Sequence, residues 1–209
     1  NTTLDPISIH NNLSLMKRKK ITNTILEASS HGLKQNRLDG LKFDISIFTN
    51  LTRDHLDYHK TYKDYFNSKL ILFKKLLKKG GIIIYDNEIS QSKIIKKICK
   101  NKKIKSLTIG KKASNLKIKK HEYVGNFQIV EIEFNKKKYS FTTSLIGKVQ
   151  VKNLLFAILA ASKSKIKFNK IIEFINKIKP VEGRLESIGN IKNNSKVILD
   201  YAHTPDALK

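Results

Sequence analysis

The chain has 209 residues and a formal net charge of +25, and 40% of its residues are hydrophobic. This length suits one large domain or a domain with part of another, and the hydrophobic content excludes wholesale disorder. The single cysteine, Cys99, excludes an intrachain disulfide and fits a reducing, cytoplasmic environment. No apolar run reaches the roughly eighteen residues that a membrane span requires, so we expect no membrane partner.

The positive charge raises the possibility of nucleic-acid binding. The lysines, however, are scattered over every predicted helix and loop and occur with many Ile and Asn residues, as a coding bias would produce. The aromatic–glycine strand motif that is typical of an RNA-binding module does not occur in the sequence. We therefore expect no nucleic-acid partner. A basic nucleic-acid-binding protein is the third alternative function of this chain.

The apolar pattern of the first half predicts alternating strands and helices. In chain order these are a strand at 23–29, a helix at 30–38, a strand at 43–50, a helix from about 61 to 79, a strand at 82–86, a helix at 87–101 and a strand at 105–110. Gly80-Gly81 is expected to end the 61–79 helix, and Asn87 to begin the 87–101 helix. The alternation predicts an α/β fold with a mostly parallel sheet flanked by helices.

The pattern changes after residue 115. Short alternating runs over 115–144, divided by Gly125-Asn126 and Asn135-Lys136, predict a small antiparallel meander. The remaining predictions are helices at 151–165 and 170–178, a strand at 183–189, a linker at 190–195, and a strand, a loop and a first helical turn at 196–209. We predict an incomplete central domain over 1–190, followed over 191–209 by a linker and the start of another α/β domain.

Polar residues follow three of the predicted strands. They are Glu27 to Ser30, Thr49-Asn50, and Asp200 to His203. Ligands of parallel α/β sheets bind beyond the carboxyl ends of the strands. Three such clusters indicate a ligand site, although polar residues in any one loop would be weak evidence.

The segment "DHLDYH" (54–59) has two histidines, His55 and His59, four residues apart on one helical face. A zinc-protease motif would require Glu at position 56, where this chain has Leu56. A surface loop with a capping Asp is as good an interpretation of this segment alone. A metal-dependent hydrolase that uses His55, Asp57 and His59 is the alternative function.

Lys69 falls near the centre of an apolar helical stripe. The members of that stripe are Tyr62, Tyr65, Phe66, Leu70, Leu72, Phe73, Leu76 and Leu77. An ammonium group there either pairs, extends out past the stripe, or has a lowered pKa. A neutral lysine could react with CO2, and the resulting carbamate would suit a hard cation such as Mg²⁺.

Two Gly-Lys pairs, Gly110-Lys111 and Gly147-Lys148, lack the earlier glycine and the following Ser or Thr of a phosphate-binding loop. The sequence therefore contains no recognisable triphosphate cradle of that type.

The longest motif, "EASSHGLKQNRLDGLKFDISIFTNLTRDHLDYHKTYKDYFNSKLILF" (27–73), resembles the central, phosphate-loop-type domain of the Mur ligase family. Four further blocks match in the same order, namely "NTTL", "VKNLLFAILAA", "PVEGRLE" and "DYAHTPDAL". Within that family, the SSHGL block is similar to members that add a diamino acid to UDP-MurNAc-L-Ala-D-Glu. The resemblance covers essentially the whole chain.

The resemblance implies a role for each matching residue. The residues that it implies for the UDP-muramoyl peptide are Asn1, Thr2, Thr3, Ser29, Gln35 and Arg37. Those implied for ATP are Asn50, Asn153, Arg184, Asp200 and His203, with Arg184 near the transferred phosphate. Those implied for Mg²⁺ are Lys69 as a carbamate, Glu27 and His55. The implied catalytic residues are Lys69, Arg184 and His55.

The implied reaction is ATP- and Mg²⁺-dependent amide formation in peptidoglycan precursor synthesis. The D-Glu γ-carboxylate would attack the γ-phosphate of ATP to give an acyl phosphate, which the amine of the diamino acid then attacks. The resemblance favours meso-diaminopimelate over L-lysine, and a cytoplasmic monomer.

The chain also departs from the family pattern. The family's phosphate loop would lie upstream of Asn1, and the motif that selects the amino acid would lie beyond Lys209. We therefore expect a fragment that is inactive by itself. Gln150 stands where the family pattern has Asn, which puts one nucleotide contact in doubt.

Overall fold

The computed structural model describes residues 2–192, 195–204 and 208. Two predictions, the substrate residue Asn1 and most of the helical turn expected at the end of 196–209, lie outside these residues. The chain divides into two compact units, Asn1–Ser46 with Arg53–Ile82, and Ile47–Thr52 with Ile83–Lys209. None of the described helices is long and apolar enough to cross a membrane.

The described residues form the following elements. The helices are α1 (Pro6–Arg18), α2 (Ser30–Lys34), α3 (Leu56–His59), α4 (Tyr62–Ile71), α5 (Ser92–Asn101), α6 (Gly147–Ala161) and α7 (Phe168–Phe174), with a π-helical turn at Leu72–Leu76 and a 3-10 turn at Ile175–Lys177. The strands are β1 (Phe43–Phe48), β2 (Leu77–Asp86), β3 (Lys105–Gly110), β4 (Leu116–Val124), β5 (Phe127–Phe134), β6 (Lys137–Thr143), β7 (Glu186–Ile191) and β8 (Ser195–Leu199).

Within the described ranges, β1 to β6 form one sheet in sequence order, and β7 and β8 form a separate antiparallel pair. β3 pairs in parallel with β4, and β4, β5 and β6 pair antiparallel. The predicted mostly parallel sheet with helices is confirmed, and so is the meander. At the β5–β6 turn Asn135 and Lys136 both have positive φ, as a two-residue hairpin turn requires.

The strand predicted at 23–29 is wrong, because residues 21–29 form no strand pairing. The side chain of Thr3 makes two backbone hydrogen bonds of the kind that a neighbouring strand would make. Its Oγ1 donates to the carbonyl of Glu27 and accepts from the N–H of Ser29, both at 2.9 Å. Ile25 is fully exposed, which is why the apolar pattern of this segment was misleading.

The helix predicted at 61–79 is wrong at its C-terminal end. The α-helical part ends at Ile71, a π-helical turn follows, and β2 begins at Leu77 rather than at residue 82. Gly81 therefore lies inside a strand instead of ending a helix. A Cβ on Gly81 would lie 2.7 Å from Cγ of Leu77, so the leucine folds over a space that only glycine leaves open.

The helix predicted from Asn87 begins instead at Ser92. Asn87 is instead hydrogen-bonded to β3 and the residues after it. Its N–H donates to the carbonyl of Ile109, and its side-chain amide donates to the carbonyl of Lys112. The predicted helix at 30–38 stops at Lys34, and α6 begins four residues before the predicted 151. The helix α1 was not predicted, although Asp5 caps its N-terminus and Pro6 occupies its first turn.

Each unit has its own apolar core. In the first unit Ile9, Leu33, Leu38 and Leu76 form a buried cluster. In the second unit the strand residues Ile83, Ile84 and Ile109 and the α6 residues Leu155 and Ile158 are almost fully buried. These cores fix the ends of the strands and the start of α6, from which the candidate functional side chains project.

Candidate functional site

The first unit brings the two polar segments of the sequence, 27–37 and 54–59, into contact. The rings of His31 and His55 lie 4.8 Å apart, edge to face. Gln35 donates through Nε2 to the hydroxyl of Tyr58 at 3.1 Å. The sequence motif is thus one spatial cluster, in which His31, Tyr58 and Gln35 join the two segments.

Lys69 lies on α4 beside this cluster. Its Nζ is 4.9 Å from the ring centroid of Tyr65, and the ring of His55 meets the same tyrosine at 5.8 Å. Burial lowers the pKa of Lys69 to about 8, and the carboxylate of Asp54 opposes this shift. A substantial fraction of the Lys69 amine is therefore neutral near physiological pH, as carbamate formation requires.

His55 is held in an uncommon backbone conformation, with φ of 55°. Asp54 accepts a hydrogen bond from the N–H of His55 at 2.7 Å, and its carboxylate lies 3.5 Å from Nδ1 of the same residue. A left-handed backbone at a residue other than glycine or asparagine is strained, and such strain clusters at functional positions. The local geometry agrees with a role for His55 as a ligand.

His59, in contrast, is fully buried and has structural partners. Its Nε2 lies 2.9 Å from Oγ of Ser30, and its Nδ1 lies 3.5 Å from Oγ of Ser68. Burial, followed by the nearby His31, lowers the pKa of His59, so the ring is neutral in the folded protein. The hydrolase alternative, in which His59 is a metal ligand, is therefore not supported.

Thr3 organises the proposed substrate residues at the other side of α2. Besides its contacts to Glu27 and Ser29, its carbonyl accepts a hydrogen bond from Nη1 of Arg37 at 2.7 Å. Ser29 itself caps α2 by accepting from the N–H of Gly32. Three residues that the sequence assigned to substrate or metal, Glu27, Ser29 and Arg37, are thus connected through buried Thr3, while Thr2 is exposed.

In the second unit, Arg184, Asp200 and His203 are grouped around Tyr201. The guanidinium of Arg184 lies 5.0 Å from the Tyr201 ring, and the His203 ring lies 5.3 Å from it. Asp200 accepts from the N–H of Leu185 at 3.4 Å. The two remaining residues assigned to ATP lie elsewhere in this unit, and both are exposed: Asn50 follows β1 and Asn153 lies on α6.

An ion pair between half-exposed Lys152 and buried Asp86 lies beside Asn153, and the sequence alone did not predict it. Lys152 Nζ is 2.6 Å from Oδ2 of Asp86, which is only 1% exposed, and Oδ1 of Asp86 accepts from the N–H of Glu88. The available signal was the position of Asp86, at the end of the buried strand run "IIIYD". Tyr65 and His31 were likewise not assigned roles, although Tyr65 was part of the apolar stripe.

The residues proposed for Mg²⁺ fit a cation only if Lys69 is carbamylated. In the part of the chain that the structure describes, no group of three His, Cys, Asp or Glu residues converges as a metal site. A carbamate on Lys69 would add an oxygen ligand beside His55, and hard cations prefer oxygen ligands. The lowered pKa of Lys69 and its position against Tyr65 are compatible with that modification.

Comparison with known proteins identifies the family. The family described as the Mur ligase middle domain matches residues 1–161. A UDP-N-acetylmuramoyl-L-alanyl-D-glutamate–2,6-diaminopimelate ligase from Rickettsia montanensis is 38% identical over 208 residues, which cover 100% of this chain and 42% of that relative. The chain belongs to the Mur ligase family, and it spans about two fifths of the length of such relatives.

Solved structures agree with this assignment. One structure of a UDP-N-acetylmuramoyl-L-alanyl-D-glutamate–2,6-diaminopimelate ligase has a TM-score of 0.83 and 30% identity, covering 99% of this chain and 42% of that one. A MurF ligase from Thermotoga maritima, solved with ADP, has a TM-score of 0.67 and 18% identity over 79% of this chain and 37% of that one. The second likeness concerns the fold alone.

Proposed function

We propose that this chain is the middle part of a cytoplasmic, monomeric ligase that uses ATP to join meso-diaminopimelate to UDP-MurNAc-L-Ala-D-Glu. The observation that carries the proposal is the match of the entire chain, at 38% identity, to a relative that bears the name of this reaction. The contact of Lys69 and His55 with one tyrosine supports it. We expect no membrane or nucleic-acid partner for this activity.

The first unit carries the residues that we assign to the peptide substrate. Ser29, Gln35 and Arg37 offer hydroxyl, amide and guanidinium donors, with Thr2 and Asn1 preceding them in the chain. Guanidinium groups bind carboxylates and phosphates with two parallel hydrogen bonds, which suits this substrate. Thr3 is already engaged on three sides, so we assign it the role of holding Glu27, Ser29 and Arg37 in place.

Lys69, as a carbamate, together with His55 and Glu27 would hold Mg²⁺. When bound, Mg²⁺ would offset negative charge on the phosphoryl group. The protein's own part is to keep the Lys69 amine desolvated against Tyr65 and to orient His55 through Asp54. Asp54 and Tyr65 thereby act through the ligands rather than on the substrate.

The second unit carries the residues that we assign to ATP, namely Asn50, Asn153, Arg184, Asp200 and His203. The guanidinium of Arg184 would stabilise the charge that develops on the transferred phosphate. This step requires no nucleophilic side chain from the protein, because the substrate carboxylate attacks the γ-phosphate itself. Its residues therefore act by positioning and electrostatics.

The test is a comparison of full-length wild type and Lys69→Ala. Phosphate release from ATP is followed with UDP-MurNAc-L-Ala-D-Glu, offering diaminopimelate and lysine in parallel. We expect release that requires diaminopimelate, falls by at least about a hundredfold in Lys69→Ala, and recovers partly with added short carboxylates. Lys74→Ala, on the same stretch of chain, is the control.

Three outcomes would contradict the proposal or a part of it. A folded wild-type protein that releases phosphate without any dependence on the amino acid would not be this ligase. Release that depends on lysine instead would retain the reaction class and change the substrate. Activity in Lys69→Ala equal to that of wild type would remove the carbamate from the proposal.

A further inference from the structure

Gln150 stands where the sequence pattern of the family has Asn, and its side chain has a specific partner. In the first turns of α6, its Nε2 donates a hydrogen bond to the carbonyl oxygen of Arg184 at 3.0 Å. The two residues are 34 positions apart, so this is a tertiary contact. The amide of Gln150 is used to hold the backbone that carries Arg184.

The backbone around Arg184 needs such support. Leu185 has φ of 47°, a left-handed conformation that is strained for a residue with a branched side chain. Its N–H is bound by Asp200 on one side, while Gln150 binds the preceding carbonyl on the other. These two hydrogen bonds hold both polar groups of the peptide between Arg184 and Leu185, directly before the strained Leu185 Cα, and so restrain the backbone that carries the Arg184 side chain.

The start of α6 is also shaped to accept this turn. A Cβ on Gly147 would lie 2.8 Å from Cδ1 of Leu185, and Gly147 has φ of 85°. The glycine therefore leaves the space that Leu185 occupies. The Arg184 side chain then rests on the Tyr201 ring at 5.0 Å, and the N–H of Tyr201 donates to the carbonyl of Gly183.

We propose that Gln150 is a positioning residue that pre-orders Arg184 for ATP through the Arg184 carbonyl. The inference rests on the proposed function, in which Arg184 contacts the transferred phosphate. Ordering the backbone that carries Arg184 before ATP binds removes the entropy of ordering that segment from the cost of binding.

A double-mutant cycle in the full-length ligase tests this inference. The variants are Gln150→Met, which keeps the side-chain length without a donor, Arg184→Ala, and the two combined; Val149→Ala, an exposed neighbour, is the control. We expect Gln150→Met to lower kcat/KM for ATP by about tenfold, with the KM for diaminopimelate unchanged. In the Arg184→Ala background the same substitution should change kcat/KM by less than about twofold.

A second measurement does not depend on activity. Trypsin cleaves after arginine, and mass spectrometry reports cleavage of the bond between Arg184 and Leu185 separately from the many lysine sites. Without nucleotide, we expect this bond to be cut severalfold faster in Gln150→Met than in wild type or Val149→Ala. Faster cleavage shows that Gln150 holds the segment, as the inference requires.

The outcomes separate the inference from the function on which it rests. Losses that add in the double variant, or a Gln150→Met enzyme with wild-type kinetics, would overturn the positioning role while leaving the ligase intact. Unchanged cleavage at Arg184 would overturn the contact itself. A wild-type protein without amino-acid-dependent phosphate release would instead overturn the proposed function, and with it any role of Arg184 toward ATP.

Discussion

The Nζ of Lys69 lies 4.9 Å from the ring centroid of Tyr65, one helical turn earlier on α4. Residues four apart on a helix share a face, so α4 itself delivers the pair. Tyr65 is 4% exposed and also meets the rings of His55 and His59. Tyr65 therefore contacts Lys69 and His55, which we assign to the cation, and also the buried His59.

The role of that ring predicts different outcomes for two substitutions. Burial raises the pKa of Tyr65 to about 12, so Tyr65→Phe removes only a neutral hydroxyl and should keep kcat within about threefold of wild type. Tyr65→Leu removes the ring face and should lower kcat by about tenfold or more, because Lys69 and His55 lose their shared support. Steady-state phosphate release measures both; equal losses in the two variants would contradict a role for the ring.

Buried His59 predicts a loss of stability in acid. Its pKa in the folded protein is below the ordinary value of 6.5, so the unfolded chain binds the proton more tightly. Stability should therefore be complete above that value and decrease as the pH falls below it. His59→Gln should be less stable at neutral pH by about 1–3 kcal/mol, because Ser30 and Ser68 lose a well-placed partner.

The pH dependence separates this titration from a general effect. Between about pH 7.5 and pH 5.5, thermal unfolding should change less in His59→Gln than in wild type, whereas exposed His10→Gln should follow wild type. The same pH slope in wild type and His59→Gln would show that His59 is not the group that titrates.

The ion pair between Lys152 and Asp86 predicts an asymmetric response. Lys152→Met should destabilise the protein by about 1–3 kcal/mol, since the buried carboxylate loses its counter-charge and keeps only the hydrogen bond from Glu88. The double variant with Lys152→Met and Asp86→Asn should lose less stability than the sum of the two single variants, because Asp86→Asn removes the uncompensated charge. Thermal unfolding of the four proteins provides the cycle, and strictly additive losses would exclude coupling between these two residues.

Cys99 should be almost unreactive in the folded protein. It is 4% exposed on α5, and burial raises the pKa of its thiol. We expect labelling by 5,5′-dithiobis(2-nitrobenzoate) near pH 8 to be at least about a hundredfold slower in native protein than in urea. Rapid labelling without denaturant would mean that α5 opens locally.

Much of the fold followed from the sequence because its pattern is local. The bounds of β3 were predicted residue for residue, and the turns of the meander carry their own signals at Gly125 and Asn135. The segment 23–29 was mispredicted because its partner is one threonine side chain, and a β-rich apolar pattern does not reveal such a substitute. The end of α4 was missed because the side chain of Leu77 packs over Gly81 in β2, a contact that helix propensity does not reveal.

The candidate site divides in the same way. Lys69 could be identified from the sequence because one cation in an apolar stripe is visible on a helical wheel. The contact of Lys69 with Tyr65 is local as well, since both residues lie on α4. The amide of Gln150 that holds Arg184 could not be identified, since that contact depends on where a distant backbone passes. From the sequence alone, Gln150 suggests that a nucleotide contact is lost. In the structure, its side chain makes a different contact, a hydrogen bond to the carbonyl of Arg184.

Thr3 has a consequence for the order of folding events. Its two hydrogen bonds close loops of 24 and 26 residues, whereas α1 between them forms from contacts within a few residues. Loop closure costs chain entropy before any contact offsets it, so non-local contacts form late. We therefore expect the amide of Ser29, which donates to Thr3, to be among the last of the first unit to gain protection from hydrogen exchange, well after α1 has become helical.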